Sequence, residues 1–218
     1  MARKPFCFVF GAGQPPACPP AIAEHDFVIA ADGGYAYTQQ AGIRTDMLVG
    51  DFDSLGICPE QNDDGPLIQR LPKEKDQTDT MAALRCGLER GYASFHIYGG
   101  TGGRLDHTLA NIQCLAFLAN HNARGYLYDS DAVVTAFRGE IWLAARREGI
   151  VSAFALGESA DGVSISGLKY ELGNERLTNV CPCGVSNEFV GKPARIKVGR
   201  GILALVYPVG TSECENPI

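Results

Sequence analysis

An α/β N-terminal domain with a mostly parallel, Rossmann-like sheet, followed by a small all-β sandwich domain, is the fold class that this sequence of 218 residues predicts. Three observations predict it. The first part of the chain alternates short apolar runs with helix-like segments, the pattern of a sheet whose strands are joined by helical crossovers. Its glycine-rich and acidic segments fall where a strand passes into a helix, the place where open α/β sheets bind ligands. From about residue 126 no further amphipathic helix of useful length follows, only short β-type runs punctuated by glycine and polar residues. The boundary is expected near Asp129 to Asp131, giving an α/β domain at 1–130 and a β domain at 131–218, each within the usual domain range.

In chain order, Phe6 to Phe10 and Phe27 to Ala31 read as buried strands, Tyr35 to Ala41 as a short helix closed by Gly42, and Met47 to Val49 as another strand. Asp76 is expected to open a helix in which Met81, Leu84 and Leu88 recur at spacings of three and four, with Gly91 as the stop. Phe95 to Tyr98 is the next strand. A longer helix follows the glycines at 99–103, with Leu105, Leu109, Ile112, Ala116 and Ala119 expected along its buried face. Beyond the boundary, strands are expected at 132–137, 141–143, 150–156, 162–165, 194–198 and 202–206.

Composition narrows the function. With 45% hydrophobic residues the chain can build a core, and its 19 basic against 25 acidic residues give a net charge of −6. That balance excludes a nonspecific nucleic-acid binder, whose affinity needs a basic surface to neutralise phosphates. No run approaches the ~20 apolar residues of a membrane helix. The apolar run after Arg3 and Lys4 is too short for a signal peptide. Eight scattered cysteines, several inside apolar segments, suit a reduced cytoplasmic setting, and Cys181-Pro182-Cys183 lacks the spacing of a zinc site. Residues 1–130 hold 15 acids against 10 bases, so that part collects carboxylates.

Four segments carry chemistry. In Val49-Gly50-Asp51-Phe52-Asp53-Ser54, extended geometry would send Asp51 and Asp53 to one side and Phe52 to the other. Two adjacent carboxylates repel unless a cation lies between them, and oxygen-only ligands suit magnesium; an acidic turn closing a strand is the plainer alternative. In Lys73-Glu74-Lys75-Asp76-Gln77-Thr78-Asp79, a separation of three would put Asp76 and Asp79 on one face of a helix's first turn. Acids there also cap free amides, but the lysines at 73 and 75 stand where they meet a phosphate. Gly99-Gly100-Thr101-Gly102-Gly103-Arg104-Leu105-Asp106-His107 joins a strand to a helix, offering close backbone approach, free amides and a guanidinium for an anion. It matches neither the Walker loop nor the GxGxxG fingerprint. Asp32-Gly33-Gly34 is the fourth. Six carboxylates, an arginine and a glycine loop converging on one sheet edge describe a magnesium-bound polyphosphate.

Taken together and in this order, Ala31 to Gly34, Gly50 to Ser54, Lys75 to Asp79 and Gly99 to His107 resemble the thiamine pyrophosphokinase family. The resemblance continues into Gly167-Leu168-Lys169-Tyr170 and Gly184-Val185-Ser186-Asn187-Glu188, similar to that family's thiamine-binding domain. It implies transfer of the β,γ-pyrophosphoryl group of ATP to the hydroxyethyl oxygen of thiamine, giving thiamine diphosphate and AMP, in a homodimer with the site between subunits. It implies Asp51, Asp53 and Asp79 as magnesium ligands, with Asp32 and Asp76 beside them. Asp32, Gly33, Lys75, Asp76, Gly102, Gly103, Arg104, Asp106 and His107 would contact ATP, and Ser186 and Asn187 would face thiamine. Asp51, Asp53, Asp79 and Asp106 form the catalytic set, and Asp79 or Asp106 is the candidate proton acceptor.

Two departures stand out. Some relatives place a tryptophan on the last strands to stack on thiamine, whereas here Gly201 to Leu205 has none and the only tryptophan is Trp142. The first strand runs into Gly11-Ala12-Gly13 and a proline-rich stretch with Pro15, Pro16, Pro19 and Pro20. The rival readings are a metal-dependent nucleotide-sugar transferase using the DxD pair, and a noncatalytic binder of thiamine or nucleotide.

Overall fold

The computed structural model describes residues 3–53, 65–74 and 76–214. They divide into two compact units, Met1–Cys114 with His121–Ser130, and Leu115–Asn120 with Asp131–Ile218.

The first unit contains β1 (Cys7–Phe10), β2 (Phe27–Ala31), α1 (Gly34–Gln40), β3 (Met47–Gly50), β4 (Leu67–Arg70), α2 (Asp79–Glu89), β5 (Ser94–Tyr98) and β6 (Arg124–Tyr128). The helix α3 (Leu105–Asn120) begins in it. All six strands pair in parallel, in the order β6-β5-β1-β2-β3-β4. Cys7, Val9, Ile29, Leu48, Val49, Phe95 and Ile97 are fully shielded, as strands covered on both faces require. Tyr37 of α1 packs on the Phe8, Phe10, Val28 and Tyr98 face, whereas α2 covers Cys7 and Phe95 on the other. The chain lays β2, β3 and β4 to one side of β1 and β5 and β6 to the other, so the order reverses between β1 and β5. That reversal is the switch point at which parallel α/β sheets open a crevice at their carboxyl ends.

Three expectations need correction. The stripe Leu105, Leu109 is not the buried face of α3: these residues are 73% and 56% exposed, and Asn111, Cys114, Leu115 and Leu118 face inward. Apolar residues surround that helix, so periodicity alone does not choose a face. The helix α2 starts at Asp79 rather than Asp76, because Thr78 adopts an extended backbone and its Oγ1 accepts the Met81 amide, as an N-cap does. Two strands of this unit have no counterpart among the expected runs: β4, a half-exposed edge strand, and β6, which alternates buried and partly exposed residues.

The second unit is built of β7 (Ala132–Leu143), β8 (Ile150–Ala155), β9 (Ser159–Ser166), β10 (Leu172–Thr178), β11 (Asn187–Glu188) and β12 (Ala194–Pro208), all pairing antiparallel. Pairs of runs read separately from the sequence are continuous in the fold: β7 and β12 form one long ladder with a register shift between Val198 and Leu203. The other edge of β12 serves β9 before that shift and β8 after it. Phe137, Leu143, Ile196, Leu203 and Leu205 form fully buried positions of this β-rich unit.

Candidate active site

The parallel register of the first unit places Phe10, Ala31, Gly50, Arg70 and Tyr98 at one edge, and the segments that follow them carry nearly every candidate of that unit. The glycine loop after β5 is zipped to the loop after β1. Gly11 N–H donates to the Tyr98 carbonyl at 2.8 Å, Gly13 N–H to Gly99 at 2.7 Å, and Gln14 N–H to Thr101 at 2.8 Å. Gly99 has φ +64, and a Cβ on Gly13 would collide with the carbonyls of Thr101 and Gly99, so neither position accepts a side chain without displacing backbone. Two side chains finish the brace. Buried Asn111 donates its Nδ2 to the Gly100 carbonyl at 2.8 Å, and Thr101 Oγ1 donates to Asp129 Oδ1 at 2.7 Å. Gly102 and Gly103 are left exposed. The loop after β1, the proline-rich departure in the sequence, therefore contributes backbone that holds the glycine loop.

At the start of α3 the exposed Arg104 grips Asp106 through two bonds, Nε to Oδ1 at 3.1 Å and Nη2 to Oδ2 at 2.6 Å. Asp106 also accepts the His107 amide at 3.0 Å. The Arg104 guanidinium, with help from that amide, holds the Asp106 carboxyl below the usual carboxylate range. Arg104, Asp106 and His107 are all exposed in the helix's first turn and the residue before it.

Across the switch point the edge is acidic and strained. Asp32 follows β2 with φ +45 and donates its N–H to the Val49 carbonyl at 2.9 Å, which brings it against Gly50; Gly33 caps α1. Asp51, Phe52 and Asp53 do not continue the strand, so the expected alternation fails. Phe52 takes φ +63 and buries its ring, 4% exposed, against Ala30 and Leu48, with the Arg70 guanidinium 5.9 Å from its centroid. A left-handed phenylalanine is an outlier that only surrounding packing sustains. It turns the chain so that Asp53 N–H donates to Asp51 Oδ1 at 3.2 Å and Asp53 pairs with Lys73 Nζ on the surface. Asp79 stands in the first turn of α2, and Asp76 is exposed ahead of the Thr78 cap. Lys75 and Ser54 lie outside the described residues.

Among the described residues no three carboxylate, histidine or cysteine side chains are gathered into a ready-made metal cage. The donors still fit magnesium, which takes hard oxygen ligands and commonly one or two carboxylates completed by water and substrate phosphates. The Lys73–Asp53 pair, 72% and 52% exposed, is a weakly held charge that another cation can replace.

In the second unit Ser186 adopts φ +62 and donates its N–H to Ser152 Oγ at 3.1 Å. Asn187 is 7% exposed and its amide is occupied twice by the backbone of Tyr170. Asn111 and the Thr101–Asp129 bond build the site without a signal in the sequence, and Phe52, expected to pack away from the aspartates, does so from a left-handed turn.

A parallel α/β unit with a braced glycine loop and separate aspartates on the turns at its carboxyl edge, followed by a β unit, is an arrangement suited to a nucleotide-dependent transferase. The family model for the thiamin pyrophosphokinase catalytic domain matches residues 19–127, and that for the thiamin pyrophosphokinase vitamin B1 binding domain matches residues 143–203. The chain is 30% identical over 187 residues to thiamine pyrophosphokinase of Bacillus subtilis strain 168, covering 84% of this chain and 87% of that protein. The crystal structure of thiamine pyrophosphokinase from Bacillus subtilis superposes with a TM-score of 0.81 at 29% identity, over 95% of this chain and 100% of that one. Thiamin pyrophosphokinase from Geobacillus thermodenitrificans shares the fold at 24% identity, with a TM-score of 0.77 over 95% and 99% of the two chains. The chain belongs to the thiamine pyrophosphokinase family.

Proposed function

We propose that this protein transfers the β,γ-pyrophosphoryl group of ATP to the hydroxyethyl oxygen of thiamine, giving thiamine diphosphate and AMP. The observation that carries the reading is the braced glycine loop at the same carboxyl edge of the sheet as the turns bearing Asp32, Asp51 and Asp53, in a chain that also matches a vitamin B1 binding domain. The thiamine oxygen attacks the β-phosphorus as the bond from that phosphorus to the α,β-bridging oxygen breaks, and AMP leaves with that oxygen. Such transfer needs little covalent help, only alignment and neutralised phosphate charge. Asp32, Gly33, Lys75, Asp76, Gly102, Gly103, Arg104, Asp106 and His107 are assigned to ATP, with the amides of the exposed glycines and the Arg104 guanidinium taking phosphate oxygens.

Asp51, Asp53 and Asp79 are the assigned magnesium ligands, with Asp32 beside them. A magnesium ion held by them would offset charge on the phosphate oxygens. Asp79 or Asp106 accepts the hydroxyl proton. Ser186 and Asn187 belong to the thiamine side, Asn187 by shaping it. The reading includes a homodimer, to be checked by light scattering, and a reduced cytoplasmic setting, in keeping with the free thiols of the described cysteines. No described helix is long and apolar enough to cross a membrane.

The test is incubation with ATP, magnesium and thiamine. AMP and thiamine diphosphate in equal amounts are expected; ADP as the nucleotide product would contradict pyrophosphoryl transfer. A nucleotide-sugar transferase leaves the glycine loop without a role and is not favoured.

A further inference from the structure

The segment similar to a vitamin B1 binding domain, residues 143–203, holds three aromatic side chains: Phe154, Tyr170 and Phe189. Phe189 is 3% exposed and Phe154 is half-buried, whereas Tyr170 is 56% exposed. Single exposed aromatics are common on protein surfaces. The backbone under this one is unusual in being locked from both sides by one buried amide. Tyr170 N–H donates to Asn187 Oδ1 at 2.9 Å, and Asn187 Nδ2 donates to the Tyr170 carbonyl at 2.6 Å. The neighbours are pinned to the same segment, Lys169 N–H donating to the Glu188 carbonyl at 2.9 Å and Leu168 bridging to Phe189. Above this frame Lys169 Nζ lies 2.7 Å from Glu188 Oε1 and 5.4 Å from the Tyr170 ring centroid. A carboxylate and an aromatic face thus already converge on one cation, and both groups attract positive charge. The ammonium is about half exposed and held by a surface pair, so exchange for another cation costs little.

We propose that Tyr170 and Glu188 form the seat for the positively charged thiazolium ring of thiamine, with Asn187 as the positioning residue that fixes the Tyr170 backbone. This rests on thiamine being the acceptor. A flat ring with a permanent charge gains from the aromatic face and from the carboxylate together, whereas a neutral ring of the same shape gains mainly from contact area.

The full chain is assayed with varied thiamine. Tyr170→Ala raises KM for thiamine about 5- to 30-fold, the size of a cation–aromatic contact, while kcat stays within about threefold and KM for ATP is unchanged. Tyr170→Phe keeps the ring and stays within about twofold of wild type. Asn187→Ala raises the same KM and adds little to Tyr170→Ala in a double-mutant cycle. A binding arm needs no turnover: wild type prefers thiamine over its uncharged isostere with carbon in place of the quaternary nitrogen, and Tyr170→Ala and Glu188→Gln each lose most of that preference. A thiamine KM unchanged in Tyr170→Ala, or a charge preference intact in both variants, overturns the seat. Wild type that binds the cation with this preference but forms no AMP sinks the transfer reading and leaves the seat standing.

Discussion

The two sides of the switch point are built in opposite ways. The glycine loop is fixed before any ligand arrives: three backbone bonds from the loop after β1, the Asn111 amide and the Thr101–Asp129 bond hold it from three directions. The acidic side is held differently: backbone bonds from Asp32 to Val49 and from Leu71 to Gly50 tie the strand ends, and the aspartates stand on the turns beyond them. Asp53 leans on an exposed lysine, Asp76 precedes a cap, and the turn that presents Asp51 is bent by a left-handed phenylalanine held by its own burial. Phosphate oxygens can be met by fixed amides, because these carry no net charge to offset. Carboxylates cannot be packed together beforehand, since their repulsion is relieved only when a cation enters. On the proposed reading the difference teaches that one side is preorganised, whereas the other would be completed by the cation bound with the substrate.

The largest effect should come from the acidic side. Asp51→Asn and Asp53→Asn each lower turnover by at least ~10²-fold, the loss expected for one electrostatic stabiliser, with thermal stability near wild type. Near wild-type rates in both would show that the acidic side is not the metal clamp. Phe52→Ala removes a buried ring and costs about 3 kcal/mol of stability in denaturant unfolding, less whatever the relieved backbone strain returns. A negligible change would mean that packing does not sustain this turn.

The glycine side responds through KM and stability. Asn111→Ala leaves the Gly100 carbonyl without that amide and costs about 1–3 kcal/mol, raising KM for ATP more than it lowers kcat. Unaltered ATP affinity would show that the backbone zipper suffices alone. Arg104→Met addresses the proton acceptor. Arg104 favours the charged form of Asp106, so its loss lets the Asp106 pKa rise toward the ordinary carboxylate range. Should Asp106 accept the proton, the acid limb of the kcat/KM profile moves to higher pH in this variant, whatever its height; a limb that stays in place assigns the proton to Asp79.

Much of this edge was legible in the sequence, because fully buried parallel strands read as unbroken apolar runs such as Cys7 to Phe10 and Phe27 to Ala31, and glycine and aspartate mark the turns that end them. The illegible parts have definite causes. Phenylalanine is among the last residues expected in left-handed backbone, so no local rule finds the turn at Phe52. Thr78 was hidden between two aspartates that also favour helix starts. Asn111 lies seven residues into a helix whose leucines suggested another face, and Asp129 follows a strand whose alternating burial was not recognised, so neither side chain could be linked to the glycine loop before the fold joined them.

The smallest predicted effect separates the two sides most directly. If Lys73 only substitutes for a metal charge at Asp53, Lys73→Met removes a competitor, and half-maximal activity is reached at a lower magnesium concentration. An exposed pair is worth at most about 1 kcal/mol, so the shift should not exceed about fivefold, and the unfolding midpoint should hardly move. The opposite shift, toward more magnesium, would make Lys73 a partner of the phosphates. It would then be part of a preorganised site on this side too, and the contrast with the glycine loop would fail at its weakest joint.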